Sequence, residues 1–154
     1  MKIIFLDIDG VLNSGKYISR IGIDFDDPKN QIDSEAVQRL NVIIEKTKGA
    51  IVISSTWRLS FKNDLPKLQN CMLSYGILGN VIGATPEKNS TRNRRGKEIQ
   101  AWLDENRHLN IDNYVIVDDD RDMGKLIHRA VFTKFEDGLL DHHVELIVGI
   151  LNKN

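Results

Sequence analysis

The sequence predicts an α/β fold with three layers, in which a parallel sheet lies between two layers of helices, as in Rossmann-like proteins. Short apolar segments alternate along the chain with longer segments of helical periodicity. The strand-like segments are continuously apolar, which is typical of strands buried on both faces of a parallel sheet. Ligands bind such sheets at the carboxyl ends of the strands, so we expect functional residues there.

The strands are predicted from apolar runs that end at polar or turn-forming residues. Five such runs occur, over residues 2–6, 50–53, 81–84, 114–117 and 130–133. The helices are predicted from apolar residues spaced three or four apart. Their apolar stripes run through residues 37–44, 65–75, 99–103 and 144–151. Residues 13–32 have no such period and form a short, flap-like insertion after the first strand.

The composition is that of one globular domain over residues 1–154. Hydrophobic residues make up 41% of the chain, enough for a core at this length. The net charge of −1 gives no global attraction to nucleic acid or to an anionic membrane, so binding to nucleic acid needs a local basic patch. The single cysteine, Cys71, excludes an internal disulfide. With no signal peptide or membrane-spanning segment evident, we expect a cytoplasmic protein.

Acidic and hydroxyl residues follow three of the predicted strands. They are Asp7 and Asp9 after the first, Ser54 and Ser55 after the second, and Asp118, Asp119 and Asp120 after the fourth. Carboxylates that converge on one edge of a sheet repel one another, and Mg²⁺, which prefers oxygen ligands, removes that repulsion. Hydroxyls, with Lys97 before the fourth strand, are suitable partners for a phosphate group.

Four segments resemble, in order, the motifs of the haloacid dehalogenase (HAD) superfamily of phosphohydrolases. They are residues 5–12 (FLDIDGVL), residues 51–54 (IVIS), Lys97, and residues 115–119 (VIVDD). A narrower resemblance is to the HAD domain of Swiss Army Knife RNA-repair proteins. It rests on residues 54–58 (SSTWR), residues 95–99 (RGKEI) with Trp102 and Leu103, the three consecutive aspartates, and residues 136–139 (EDGL).

The resemblance implies a Mg²⁺-dependent phosphomonoesterase that acts through an aspartyl-phosphate intermediate. Asp7 would be the nucleophile. Asp9 would protonate the leaving oxygen and then deprotonate the attacking water. The metal would be held by Asp7, the backbone carbonyl of Asp9, and Asp118 or Asp119. Ser54 and Lys97 would bind the phosphoryl oxygens, while Gly10 would let the chain turn after the aspartates.

Three of these assignments stay open at this point. Ser55 is an alternative to Ser54. Arg95 is an alternative or an addition to Lys97. Asp118 is favoured over Asp119 because Asp122 follows it by four positions. Further substrate contacts are expected from Gly10, Ser55, Arg58, Arg94 and Arg95.

The connections in which HAD enzymes often carry a cap domain are short in this sequence. Residues 13–32 and 85–96 leave no room for one, and the resemblance therefore implies a capless enzyme with an open site and large substrates. Five positive charges lie between Glu87 and Glu98, at Lys88, Arg92, Arg94, Arg95 and Lys97. These features favour the terminal phosphates of RNA or DNA as substrates. The resemblance to RNA-repair proteins implies a functional partnership with a kinase or a ligase.

Other substrates and other classes of protein compete with this hypothesis. A phosphoprotein, a nucleotide or another small molecule is an alternative substrate within the same superfamily. A non-catalytic phosphate-binding module or a receiver-like signalling module is a more distant alternative. A receiver carries its phosphate-accepting aspartate after the third strand, where this chain has Thr85 and no acidic residue.

Overall fold

Five strands form one parallel sheet in this computed structural model, which describes residues 1–22, 31–62 and 64–153. The strands are β1 (Lys2–Leu6), β2 (Ala50–Ile53), β3 (Val81–Ala84), β4 (Asn113–Asp118) and β5 (Ala130–Phe132). Their order across the sheet is β3-β2-β1-β4-β5, and every neighbouring pair is parallel. The predicted sheet is confirmed. The direction of winding reverses between β1 and β4, the place where such sheets bind ligands.

Helices cover both faces of the sheet. They are α1 (Gly15–Ile21), α2 (Ser34–Thr47), α3 (Trp57–Ser60), α4 (Leu65–Ser74), α5 (Arg94–Glu105) and α6 (Asp141–Leu151). The described ranges also contain two 3₁₀ helices, Arg107–Leu109 and Gly124–Arg129. Side-chain caps explain two of the helix starts: Asp33 accepts a hydrogen bond from the Glu35 amide, and Asp64 accepts one from the Lys67 amide. Across the described ranges, no helix is both long enough and apolar enough to span a membrane.

Helices α1 and α3 are additions to the predicted elements. Helix α1 has seven residues, about two turns, and none of them is buried. Its three apolar residues, Tyr17, Ile18 and Ile21, are too few to establish a helical period. Helix α3 has four residues, about one turn, which is too short to show a period. Helix α1 occupies part of the predicted insertion over residues 13–32, and residues 23–30 of that insertion lie outside the described residues.

The core has two halves, one on each face of the sheet. Successive strand residues point to opposite faces, so Leu6 and Ile53 pack toward α2, α4 and α6. Phe5 and Val52 pack on the other face with Trp102 of α5. Phe5 is fully buried, and its ring lies edge-on to that of Trp102 with centroids 5.5 Å apart. Because Leu6 and Ile53 point away from α5, the residues that follow them, Asp7 and Ser54, point toward α5.

Candidate metal and phosphate site

Four polar residues occupy one row across the carboxyl edge of the sheet. Leu6 is aligned with Ile53 and with Val117, and Ile53 is aligned with Ala84. The residues that come next are Asp7, Ser54, Asp118 and Thr85, and all four are buried. Backbone hydrogen bonds continue through the row: the amide of Asp7 donates to Val117, 3.0 Å away, and that of Ser54 donates to Leu6, 2.8 Å away. The sheet itself therefore sets the spacing of these side chains.

Three carboxylates converge at this edge, as the sequence predicts. Asp7, Asp118 and Asp119 each place an oxygen within 4.8 Å of the others, and we call them the acidic cluster. Asp118 is fully buried, and burial, with a smaller effect from the charge of Asp7, raises its pKa to about 8. Burial is also the main cause that raises the pKa of Asp7 and of Asp119. Without a bound metal ion, the acidic cluster therefore retains a proton at neutral pH.

Arg95 is the positive group that meets the acidic cluster. Its Nη2 lies 3.2 Å from Oδ2 of Asp7, and its Nε lies 3.0 Å from Oδ2 of Asp118. Nη1 donates a hydrogen bond to the carbonyl of Ser54. Burial alone would lower the pKa of Arg95, but the charges of Asp7 and Asp118 raise it above its ordinary value. This guanidinium is fixed and charged beside the carboxylate expected to attack phosphorus.

Lys97 does not reach the acidic cluster, contrary to the prediction. Its side chain is exposed, and Nζ donates to Oγ of Ser90, 2.7 Å away. Helix α5 begins at Arg94, which places residues 95 and 97 inside the helix. Side chains two positions apart on a helix point in nearly opposite directions, so both cannot face the same site. Arg95 takes the place expected for Lys97.

Ser54 and Ser55 both lie at the site, in different surroundings. The Ser55 side chain hydrogen-bonds the Asp7 carboxylate, which partly offsets the effect of burial on the pKa of Asp7. Oγ of Ser54 is fully buried and has no hydrogen-bond partner within the described part of the chain. A buried hydroxyl without a partner is costly unless a ligand engages it. Either serine can therefore meet a phosphoryl oxygen, and the alternative between them stays open.

Asp9 lies outside the acidic cluster. Its side chain is exposed, and both of its oxygens accept hydrogen bonds. Nδ2 of Asn13 donates to Oδ1 at 2.8 Å, and the indole Nε1 of Trp57 donates to Oδ2 at 3.1 Å. Neither donor is a predicted site residue: Asn13 falls in a segment without periodicity, and nothing in the sequence connects Trp57 with a residue 48 positions away. Asp9 thus has surroundings suited to a role apart from metal binding.

Gly10 allows the turn that brings Asp119 against the β1 loop. Its φ of +76° lies in the left-handed region, and a Cβ there would lie 2.4 Å from Oδ2 of Asp119. Its amide donates to Oδ1 of Asn13 at 3.0 Å, and its carbonyl accepts from Oγ1 of Thr133 at 2.7 Å. Both backbone groups of Gly10 are therefore occupied within the protein. The structure supports a conformational role for Gly10 rather than a contact with substrate.

A comparison with known families adds to this geometry. The family model of the HAD domain in Swiss Army Knife RNA repair proteins matches residues 3–144, from β1 into α6, and includes the whole acidic cluster. The chain belongs to this family. Neither a search of curated proteins nor a search of solved structures found a significant match. Family membership supports a HAD-type phosphohydrolase.

The acidic cluster of this HAD domain could hold a metal ion. HAD proteins typically use a metal ion, and Asp7, Asp118 and Asp119 offer oxygen ligands close enough to share one. Oδ2 of Asp118 is buried and accepts no hydrogen bond from the described residues, although Arg95 lies nearby. A buried carboxylate oxygen that accepts no hydrogen bond, and whose charged neighbour among the described residues is Arg95, can also serve as a metal ligand. The predicted contribution of Asp9, through its backbone carbonyl, stays a prediction.

Arg58 is a structural residue in this HAD domain, contrary to the prediction that it contacts substrate. Its side chain is 2% exposed. The guanidinium donates to the carbonyls of Ser55 and Thr85, each at 2.7 Å, and its Nη2 lies 3.0 Å from Glu98. The loops after β2 and β3 are thereby tied to α5, the helix that carries Arg95. All three nitrogens of the Arg58 guanidinium are thus engaged by groups of the protein, which supports a structural role.

Arg94 and Asp122 meet through the backbone of α5. The amide of Arg94 donates to Oδ2 of Asp122 at 2.7 Å, so Asp122 satisfies the start of the helix and does not join the acidic cluster. The reason for favouring Asp118 over Asp119 therefore fails, and both lie in the cluster. The Arg94 side chain is exposed, 3.9 Å from Glu98, and is free to meet a substrate outside the cluster.

Proposed function

We propose that this HAD domain is a Mg²⁺-dependent phosphomonoesterase that removes terminal phosphates from RNA or DNA. The observation that carries the proposal is the convergence of Asp7 with Asp118, Asp119 and Arg95 at the carboxyl end of β1. Asp9, two residues after Asp7, is held outside that cluster. The two aspartates of the β1 loop thus have separate environments, which favours separate roles.

The reaction proposed for these residues has two steps. Asp7 attacks phosphorus, the bond to the leaving oxygen breaks, and Asp9 gives its proton to that oxygen. Water then attacks the aspartyl-phosphate, Asp9 takes the proton from the water, and the bond between Asp7 and phosphorus breaks. The product is inorganic phosphate, and both aspartates return to their starting states.

Charge neutralisation is the main requirement of this reaction, because a carboxylate must approach a phosphate dianion. Mg²⁺ held by Asp7, Asp118 and Asp119 would supply positive charge between the reacting groups. The guanidinium of Arg95 adds a second fixed positive charge. In this proposal the hydroxyl groups of Ser54 and Ser55 donate hydrogen bonds to phosphoryl oxygens. These groups act from buried positions, in which their electrostatic effect is larger than in water.

The nucleic-acid substrate is favoured by the charges beside the site. Lys88, Arg92, Arg94 and Lys97 have exposed side chains on the loop after β3 and on the first turn of α5, close in sequence to Arg95. The whole chain has a net charge of −1, so this attraction is local to one side of the site. Phosphates along a strand could contact these residues while the terminal phosphate lies at Asp7.

A functional partnership with a kinase or a ligase is part of the proposal. Ligation requires defined phosphorylation at the two nucleic-acid ends that are joined. Removal of a terminal phosphate changes which of those reactions an end can undergo. The family match supports this context through its name, which refers to RNA repair proteins.

The test is phosphate release by the wild type and by Asp7→Asn, each with Mg²⁺ and with a chelator. The substrates are an aryl phosphate, a phosphopeptide, and oligonucleotides that carry a 3′- or a 5′-terminal phosphate. We expect release that needs both Mg²⁺ and Asp7 and is fastest on an oligonucleotide. Asp104→Asn is the matched control, because Asp104 is exposed and, among the described residues, its side chain pairs with Gln100 and Arg107, neither of which belongs to the acidic cluster.

Each result of this experiment has a definite meaning. Release that persists in Asp7→Asn, or in the presence of chelator, would contradict the mechanism. Faster release from the phosphopeptide or from the small aryl phosphate would overturn the nucleic-acid substrate and leave the phosphatase mechanism in place. No release from any substrate by folded wild-type protein would overturn the proposed activity.

A further inference from the structure

The carboxyl group of Asp9 has no support from the sheet. The residue comes after β1, and its side chain is exposed, in contrast to the buried Asp7 two positions before it. An exposed side chain of this kind exchanges freely among its rotamers unless other groups hold it. A proton donor must lie within hydrogen-bond reach of the leaving oxygen, so free rotation would reduce the fraction of productive encounters.

Two side-chain donors hold this carboxyl group, one on each oxygen. Asn13 Nδ2 donates to Oδ1 and Trp57 Nε1 donates to Oδ2. Asn13 is itself fixed: its Oδ1 accepts from the Gly10 amide, and its Nδ2 also reaches the carbonyl of Gln31, 3.1 Å away. Asn13 and Asp9 belong to the same loop, so Trp57 is the donor that ties Asp9 to a different part of the fold.

Trp57 is well placed to act as a fixed point. It begins α3, directly after the segment that carries Ser54 and Ser55, and its amide lies 3.4 Å from Oγ of Ser55. Its ring packs against the half of the core that contains Leu6 and Ile53. It also meets the ring of Tyr75 at an angle of 61°, with centroids 6.2 Å apart. The group that holds Asp9 is thus carried by the same segment as the two hydroxyls of the site.

We infer that Trp57 is a positioning residue for proton transfer, which holds the Asp9 carboxyl group toward the leaving oxygen of the substrate. This inference rests on the proposed function. The indole N–H is only a donor, so it orients Asp9 without competing for the transferred proton. A carboxyl oxygen has two acceptor positions, and Trp57 and Asn13 each occupy one of them. A position stays open on each oxygen for the proton that passes to the leaving oxygen in the first step and returns from water in the second.

The test compares substrates that differ in their need for a proton. A nitrophenyl phosphate releases a stable phenolate without protonation, whereas an alkyl phosphate requires a general acid. The value of kcat/KM reports the steps up to departure of the leaving group. For Trp57→Phe, which keeps an aromatic ring and removes the N–H, we expect kcat/KM on the alkyl phosphate to fall about tenfold, a part of the roughly 10²–10⁴-fold effect of general acid catalysis.

On the nitrophenyl phosphate, the same variant should show a different pattern. Its kcat/KM should change by less than about twofold, because departure of the phenolate needs no acid. Its kcat should fall, because hydrolysis of the aspartyl-phosphate still needs Asp9 as a base. Asp9→Asn sets the upper limit for the loss of kcat/KM on the alkyl phosphate and for the loss of kcat on the nitrophenyl phosphate. Trp102→Phe is the matched control, since the other tryptophan of the chain lies buried in the core and should affect both substrates in equal proportion.

The outcomes separate this inference from the proposed function. A selective loss on the alkyl phosphate in Trp57→Phe supports a positioning role. An equal loss on both substrates would show a merely structural role, and full activity on both would show that the contact is not used; either result overturns the inference while wild-type turnover upholds the proposed function. Absence of turnover by the wild type would overturn the proposed function and, with it, the role of Trp57.

Discussion

Nη2 of Arg95 lies 3.2 Å from Oδ2 of Asp7, and the same guanidinium also reaches Asp118. A partly buried cation in contact with two buried carboxylates is held more firmly than an exposed one, because solvent screens the interaction less. From this position the Arg95 guanidinium would stabilise the negative charge of a phosphoryl group during its transfer to Asp7. Lys97 points away from it, toward Ser90.

The first prediction separates these two basic residues. Arg95→Ala should lower kcat/KM for an aryl phosphate by about 10²-fold or more, the range found when one preorganised charge or donor is removed. Lys97→Ala should change it by less than about twofold, because the exposed ammonium contributes only a screened, distant charge. Steady-state kinetics on a small aryl phosphate test this without any contribution from a polymer. Equal losses in the two variants would contradict the assignment of Arg95.

The second prediction concerns the pH dependence of stability without metal. Asp118 has a pKa of about 8 in the folded protein and an ordinary value of 3.8 in the unfolded chain. Between these values the folded state retains a proton that the unfolded state has lost, so stability falls as the pH rises from about 4 to about 8. Asp118→Asn removes this contribution. The variant should lose less stability than the wild type over that range, as measured by urea unfolding in the presence of a chelator.

Mg²⁺ should oppose this loss in the wild type alone. Binding to Asp118 requires the deprotonated carboxylate, so the stabilisation by Mg²⁺ should increase as the pH approaches 8. The measurement is the shift in the unfolding midpoint with added Mg²⁺ at several pH values. A shift of the same size in Asp118→Asn would mean that the metal binds elsewhere.

The third prediction compares two glycines that share a backbone conformation. Gly10 and Gly22 both have positive φ, +76° and +59°. A Cβ at Gly22 would meet none of the described residues within 4 Å, so Gly22→Ala should cost only the conformational penalty of about 1–2 kcal/mol. Gly10→Ala adds a collision with the Asp119 carboxylate. It should cost more than Gly22→Ala in urea unfolding and should also lower phosphate release.

Comparing the two variants separates the effect of the Asp119 collision from the conformational penalty that both substitutions share. If Gly10→Ala lost no more stability than Gly22→Ala and kept full activity, the close approach of Asp119 would have no part in the site. A larger loss on Gly10→Ala with a weakened response to Mg²⁺ is the expected result. The comparison needs both variants folded at the temperature of the assay, which circular dichroism can establish.

The fourth prediction tests the preference for a polymer. Neutralising Arg92 and Arg94 together, as Arg92→Gln with Arg94→Gln, removes two exposed charges beside the site. The kcat/KM on a phosphorylated oligonucleotide should fall several-fold. The slope of its logarithm against the logarithm of the salt concentration should become shallower by about two, which is about one for each phosphate contact removed. A small aryl phosphate should be affected far less. A matching loss on both substrates would contradict a role in gripping the nucleic-acid backbone.

The sheet and the acidic cluster could be predicted from sequence because both depend on local patterns. Each strand is a short apolar run, and parallel strands bring the residues after them to one edge. Asp7 and Asp118 therefore meet although they are far apart in the sequence. The same argument placed Ser54 beside Asp7, and the structure agrees.

The errors in the site arise from contacts that no local pattern encodes. The start of α5 is satisfied by Asp122, which lies 28 residues after Arg94, and that start decides that residue 95 rather than 97 faces the cluster. Arg58 is buried because Glu98 and two backbone carbonyls surround it. The charge of an arginine side chain suggests an exposed position instead. Such side-chain orientations depend on the tertiary structure.

Because β1 lies at the centre of the sheet, Asp7 and Asp9 are held in place by different kinds of contact. Strand β1 is hydrogen-bonded to β2 on one side and β4 on the other, so its amides should exchange with solvent only when the whole domain opens. Asp7 continues that network through its own amide, whereas the carboxyl group of Asp9 is held by two side chains. The nucleophile would then stay in place for as long as the domain is folded, whereas the position of the proton donor would last only as long as its two side-chain hydrogen bonds.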